Sequence, residues 1–181
     1  MRKEKSIWQG PKVTTYSIAL LGILMALHIV ISRVGTIRIT RDLRFSLVFI
    51  VSVIIAYYYG PLWTAAVNGI LNIVMFFVFP TGDPFFVGYI ISAVLGGFIY
   101  GIFLYPHKIS IVRAILAVVF VTLIVNLLMN GLWTTLMYKT PFWISLGGRV
   151  FKEFVVIIPR IIITYLVLEG MSRLNLESKL N

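Results

Sequence analysis

The sequence predicts an all-α membrane protein: a single transmembrane domain over residues 1–181, built as a bundle of six helices with both termini in the cytoplasm. Three observations carry this. Of the residues, 60% are hydrophobic and only 12% charged, with a mean hydropathy of +0.99, whereas a soluble domain carries about a quarter of its residues as charges. The apolar residues gather into six runs, and a spanning helix takes roughly 20 of them. Lysine and arginine are spread unevenly over the connections, which orients the bundle.

The first run covers 15–32. Its basic leader, Met1 to Lys5, invites a signal-peptide reading, but no small-x-small cleavage site follows and further apolar runs do, so it is read as a retained first helix. The second (45–59) is short, and only Gly60 and Pro61 separate it from the third (61–79). That suits a tight helical hairpin, with Gly closing one helix and Pro in the first turn of the next. The fourth covers 85–105. The fifth (111–138) and sixth (142–169) exceed a perpendicular span, so they tilt or project beyond the hydrocarbon. No repeat joins the halves, which counts against an inverted-repeat secondary transporter.

Six spans put both termini on one side, together with Arg2, Lys3, Lys5, Lys12, Lys108, Arg113, Arg173 and Lys179. The positive-inside rule makes that side cytoplasmic. The net charge of +10 is thus a membrane pattern rather than a nucleic-acid footprint. The other side breaks the rule, because the first loop carries Arg33, Arg38, Arg41 and Arg44, and Lys139 lies between the last two runs. Headgroup contact explains each arginine singly and fits four together less well, so the exception needs a reason.

Several chemistries are excluded. There is no cysteine, hence no disulfide or thiolate metal site, and His28 and His107 lie far apart without a carboxylate neighbourhood, so no metal is expected. There is no phosphate-binding G-x-x-x-x-G-K-[ST], no H-E-x-x-H, no G-x-S-x-G and no acidic pair for a proton relay. The chain is not expected to be an enzyme or to hydrolyse ATP itself.

Polar residues inside apolar runs are costly and must face protein or water. Arg149, Lys152, Glu153 and Val156 follow i, i+3, i+4, i+7 spacing on one helix face, with Arg160 further along. Such a stripe lines a cavity, or Lys152 and Glu153 snorkel and pair near the interface; Arg149 is the better ligand candidate. Asn126, Asn130 and Trp133 place two carboxamides and an indole on one face, chemistry suited to a heteroaromatic ring with an amide-like edge. Interhelical bonding is the alternative, and Asn130, nearer the outer end, is favoured for function. For Asn68 and Asn72, helix packing is favoured. The stretch Pro80 to Phe86, with Tyr89, forms either a shaped aromatic rim or an interfacial belt. Gly22 and Ala26, and likewise Ala93, Gly96, Gly97 and Gly101, allow a helix to approach closely; spacing alone does not say whether that helix is internal or from another subunit.

The stretches ISRVGTIRI and LRFSLVFI around the first loop, YYYGPLWTAAVNGILN, FPTGDPFFVGYIISAVLGGFIYGIFLY and VTLIVNLLMNGLWTTLMY together resemble the substrate-binding S components of energy-coupling factor (ECF) vitamin transporters, within them the folate family, over nearly the whole chain. The resemblance implies a multi-pass subunit of the bacterial cell membrane that captures folate or a related pterin from outside. It would dock on a transmembrane coupling protein with two cytoplasmic ATPases, which would use the ATP; this chain would carry no cofactor. Family members usually contact the coupling protein through A-x-x-x-A on helix one, matched loosely here by Gly22 and Ala26.

A ligand of that kind divides the candidates into two sets. Arg33, Arg38, Arg44 and Arg149, with Lys152 beside them, suit its carboxylates, and Phe86, Tyr89, Asn130 and Trp133 suit its ring. Another vitamin or an anionic precursor is the nearest alternative ligand. Of different class are a lipid-headgroup enzyme, for which no nucleophile or acid–base pair is offered, and a channel-like subunit with the arginines as an anion funnel.

Overall fold

The computed structural model describes residues 10–34, 36–38, 44–78, 85–105, 109–139 and 141–173. In chain order these form α1 (Thr15–Val34), the short strands β1 (Thr36–Arg38) and β2 (Arg44–Ser46), α2 (Val48–Val78), α3 (Val87–Leu104), α4 (Ile111–Phe120), a π-helical stretch (Val121–Met129), α5 (Asn130–Tyr138) and α6 (Phe142–Arg173). From α4 through the π-helical stretch to α5 the chain is one unbroken rod, because the junction residues keep helical dihedrals. Among the described residues, five helical rods are long and apolar enough to cross a membrane.

The expected second and third runs are the two halves of α2. The helix breaks at Gly60 (φ 80°, ψ −177°), and Pro61 opens the second half. Gly60 is needed there twice over: its positive φ is costly for any residue with a Cβ, and a Cβ would lie 3.0 Å from the Tyr105 ring. The bundle is helical as expected, and the first loop adds a short ribbon to it. Thr36, Ile37 and Arg38 pair antiparallel with Ser46, Phe45 and Arg44, so Phe45 belongs to a strand, and α2 begins at Val48 rather than Phe45. Both strands alternate polar and apolar residues, the pattern of a pleated ribbon.

The first half of α2 is the centre of the bundle. Val51, Val53, Ile55 and Ala56 are each 0% exposed, as befits a helix apolar all round. Its second half packs on α3 through glycines. A Cβ on Gly97 would stand 2.6 Å from the Thr64 carbonyl oxygen, and one on Gly101 2.5 Å from the Pro61 nitrogen. The small face of α3 therefore serves an internal contact. Asn68 has a packing role, since its Oδ1 accepts a 3.1 Å bond from Ser52 Oγ in the other half of α2.

Thr14 caps α1 by accepting the Ser17 N–H on its hydroxyl at 3.2 Å. The Tyr59 hydroxyl donates to the Ser17 carbonyl at 2.6 Å, and the Tyr58 hydroxyl to the Met171 carbonyl at 3.3 Å. The start of α1, the Gly60 break and the end of α6 are thereby gathered at one end of the bundle. The surface is that of a membrane protein: Phe151, Phe154, Ile158, Ile162 and Leu166 form an exposed apolar stripe along α6.

Candidate ligand-binding site

The candidate residues lie at the other end, where α3 and α6 begin and α5 finishes. Phe86 precedes α3, and its ring centroid lies 5.6 Å from that of Trp133 at 54° and 6.1 Å from that of Tyr89 at 73°. These are tilted and edge-to-face contacts of the kind aromatic quadrupoles favour. Trp133 is anchored across the helix boundary: its Nε1–H donates to Ser92 Oγ at 2.9 Å, and Ser92 is buried. Gly88 makes the space, since a Cβ there would stand 2.6 Å from Trp133 Cδ2.

One turn away is a polar line. The Thr134 hydroxyl donates to the Asn130 carbonyl at 2.8 Å and accepts from Arg149 Nη2. Asn130 thus sits on the same face as Trp133, tied through Thr134 to the α6 guanidinium. Its side-chain oxygen, Oδ1, is buried without a hydrogen-bond partner. A buried acceptor left unpaired costs about 1–3 kcal/mol, which an incoming N–H donor recovers.

Below it lies a charged pair. Glu153 Oε2 accepts from Asn126 Nδ2 at 3.1 Å and from Arg160 Nη1 at 3.2 Å, and the Arg160 guanidinium stands 5.6 Å from the Phe49 ring centroid. Of the two readings of Glu153, an inward stripe or a snorkelling interface residue paired with other charges, its burial fits the first: it is only 7% exposed, and Arg160 two turns along the same helix neutralises it. Asn126 is engaged in helix-to-helix bonding.

The structure therefore joins Phe86, Tyr89 and Trp133 through ring contacts, and Asn130 and Arg149 through Thr134, with the two groups meeting at the neighbouring residues Trp133 and Thr134 of α5. Lys152 is half-buried on α6. Arg33 is in the last turn of α1, exposed, rather than in the loop. Arg38 and Arg44 stand directly opposite each other in the β1–β2 register. Arg41 and the 80–84 part of the expected rim lie outside the described residues. Gly22 and Ala26 are exposed on α1, and a Cβ on Gly22 would meet nothing within 4 Å.

Ser92, Gly88 and Thr134 were not singled out from the sequence. Thr134 had a signal, being four residues after Asn130 and beside Trp133. Ser92 and Gly88 had none, because their roles come from a contact between α3 and α5.

An apolar bundle with an aromatic wall, an unpaired buried acceptor and a guanidinium at one end defines a solute-binding membrane protein. The model of the family described as ECF transporter, substrate-specific component, matches residues 16–168, and the chain belongs to that family. Among its relatives, the folate transporter FolT of Leuconostoc mesenteroides is 34% identical over 178 residues, 94% of each chain. The folate transporter FolT of Clostridium novyi is 30% identical over 159 residues, 88% of this chain and 91% of the other. A crystal structure of FolT bound with folic acid superimposes with a TM-score of 0.79 at 31% identity, covering 87% of this chain and 95% of that one.

Proposed function

We propose that this chain is the folate-binding S component of an ECF-type transporter in the bacterial plasma membrane, taking folate or a related pterin from outside for uptake driven by partner subunits. The observation that carries the reading is the unpaired Asn130 Oδ1 beside Trp133 and the Arg149–Thr134 bond. It offers an acceptor to the N–H edge of a pterin, aromatic rings to its face and a guanidinium to its anionic tail. Similarity to folate transporters and to a folic-acid complex supports the same ligand.

In this reading Phe86, Tyr89, Asn130 and Trp133 hold the ring, while Arg149, Lys152, Arg33, Arg38 and Arg44 take the carboxylates. Arg38 and Arg44 are register partners in the β1–β2 ribbon, which supports assigning both to the same anionic tail. Counting the two halves of α2 separately gives six traversals with both termini inside; the gathering of the α1 start and the α6 end supports this.

The chain acts as a binder rather than an enzyme. ATP is consumed by two ATPases of the partner module, reached through a transmembrane coupling protein. The exposed Gly22–Ala26 face of α1 suits that contact, because unlike at Gly97 and Gly101 a Cβ on Gly22 would meet none of the described residues within 4 Å, and Ala26 is exposed.

The test is the ultraviolet spectrum and mass of the small molecule retained by the purified protein, followed by competition among folic acid, riboflavin, thiamine and pantothenate. A pterin spectrum with displacement by folic acid alone is expected. Binding of one of the others with no binding of folates would reject the assignment.

A further inference from the structure

The Glu153–Arg160 pair is not explained by stability. Charges buried in the depth of a bundle are costly to desolvate, and apolar residues of similar volume commonly serve as well or better. Nor does the pair belong to the ring-and-tail division above. Its geometry points elsewhere. Glu153 Oε2 receives two N–H groups, one from Arg160 on its own helix and one from Asn126 on the facing rod. Arg160 supplies the counter-charge, and Asn126 is what the carboxylate holds.

Asn126 lies in the middle of the π-helical stretch Val121–Met129. Stretches with i→i+5 bonding are uncommon, and single turns of this kind recur at functional sites. Each residue turns through a smaller angle than in an α-helix, so relaxation of this stretch to α would rotate everything beyond it, Asn130 and Trp133 included, relative to α4. A rod with that freedom needs fixing on both sides of the functional residues. α6 does so at two points one turn apart: Glu153 holds Asn126, and Arg149 holds Thr134. Asn130, with its unpaired oxygen, lies midway between the two held positions.

We propose that Asn126, Glu153 and Arg160 form a positioning clamp that holds the π-helical stretch in register and thereby sets Asn130 and Trp133 for the ring of the ligand; the ligand part of this rests on the folate reading. The three are positioning residues. The clamp is charge-neutral as a whole, and the Asn126 amide is oriented with its N–H toward the carboxylate, so its register depends on charge compensation by Arg160.

The experiment uses the full chain in lipid nanodiscs, with folic acid, the ring fragment pterin-6-carboxylate and the tail fragment p-aminobenzoylglutamate as probes, alongside amide hydrogen exchange. Asn126→Leu keeps the Glu153–Arg160 pair and removes only the held group. It should weaken the ring fragment about tenfold or more, the scale of a hydrogen bond to a charged partner, while leaving the tail fragment within about twofold. Exchange should rise over 121–134 and not over 111–118. Arg160→Gln should reproduce the loss, and the double variant Glu153→Gln with Arg160→Gln, which is again neutral, should recover most of it.

Unchanged ring affinity in Asn126→Leu overturns the clamp. So does an equal loss for both fragments with exchange raised throughout, which marks plain destabilisation. If the unaltered chain binds neither fragment nor folic acid, the folate reading falls, and exchange alone decides the clamp: a rise confined to 121–134 upholds its hold on register, and any other pattern overturns it.

Discussion

Where α2 meets α3, contact is made by backbone. Gly97 and Gly101 bring α3 so close that a single Cβ would strike Thr64, Pro61 or Gly60. Where the rod from α4 to α5 meets α6, contact is made by polar side chains instead: Arg149 to Thr134, and Asn126 to Glu153 with Arg160 behind it. The first junction has no room to adjust, since close-packed backbones have one arrangement. The second retains an unpaired acceptor at Asn130 Oδ1, and directional bonds can be exchanged for bonds to a ligand. One junction maintains the fold and the other is built to respond, so stability and ligand affinity should be separable by mutation.

The strongest way to break that separation is at the first junction. Gly101→Ala places a methyl group against the backbone of Pro61 and Gly60, which cannot rotate away. It should cost about 3 kcal/mol, the upper range for overpacking, seen as a large fall in melting temperature or loss of folded protein. Whatever remains folded should bind ligand as the parent does. A large affinity loss at unchanged melting temperature would show that the glycine junction also shapes the site.

The converse change is Arg149→Ala. Removal of the guanidinium should weaken folate binding by about ten- to a hundredfold, the equivalent of one or two charge-assisted bonds. The melting temperature of the empty protein should move little, because Thr134 keeps its bond to the Asn130 carbonyl. Arg149→Lys should not restore full affinity, since an ammonium group lacks the planar fork that takes a carboxylate with two bonds. Isothermal titration with folic acid separates these outcomes.

How much of this was legible follows the same division. Gly60 and Pro61 announced the break in α2 because turn chemistry is local. Arg149, Asn130 and Trp133 stood out because an apolar background makes each polar residue conspicuous. The burial of Val51, Val53, Ile55 and Ala56 was hidden for the opposite reason: a helix enclosed by protein and one facing lipid are equally apolar, so sequence does not mark the centre. The hairpin escaped because two strands of three residues are shorter than any window that reveals alternation. Ser92 as the indole's acceptor, and Asn126 as the second donor to Glu153, depend on how the helices are placed and turned.

A smaller effect is expected at the end where the chain begins. Tyr59→Phe removes the hydroxyl that donates to the Ser17 carbonyl at 2.6 Å and leaves the ring packed. The loss should be about 1 kcal/mol, read as a modest drop in melting temperature with folate affinity unchanged. That bond ties α1 to the break in α2, so a change in affinity would reveal coupling from the far end of the bundle to the site.

The least perturbing change sharpens the comparison most, because it asks whether a small residue on this chain serves packing within or contact outside. Gly101 and Gly22 are both helical glycines, yet a Cβ on Gly22 meets nothing within 4 Å. Gly22→Ala should therefore alter stability by no more than about 0.5 kcal/mol, the ordinary range for a surface substitution, and can raise it, since alanine favours the helix over glycine. Gly22→Leu should likewise leave melting temperature and folate affinity in place for the isolated chain. If the face is a docking surface, the larger side chain should abolish transport in cells that supply the partner subunits while the purified component still binds folate. Normal uptake by Gly22→Leu would mean that α1 meets lipid at this position, and the docking contact would have to be sought on another helix.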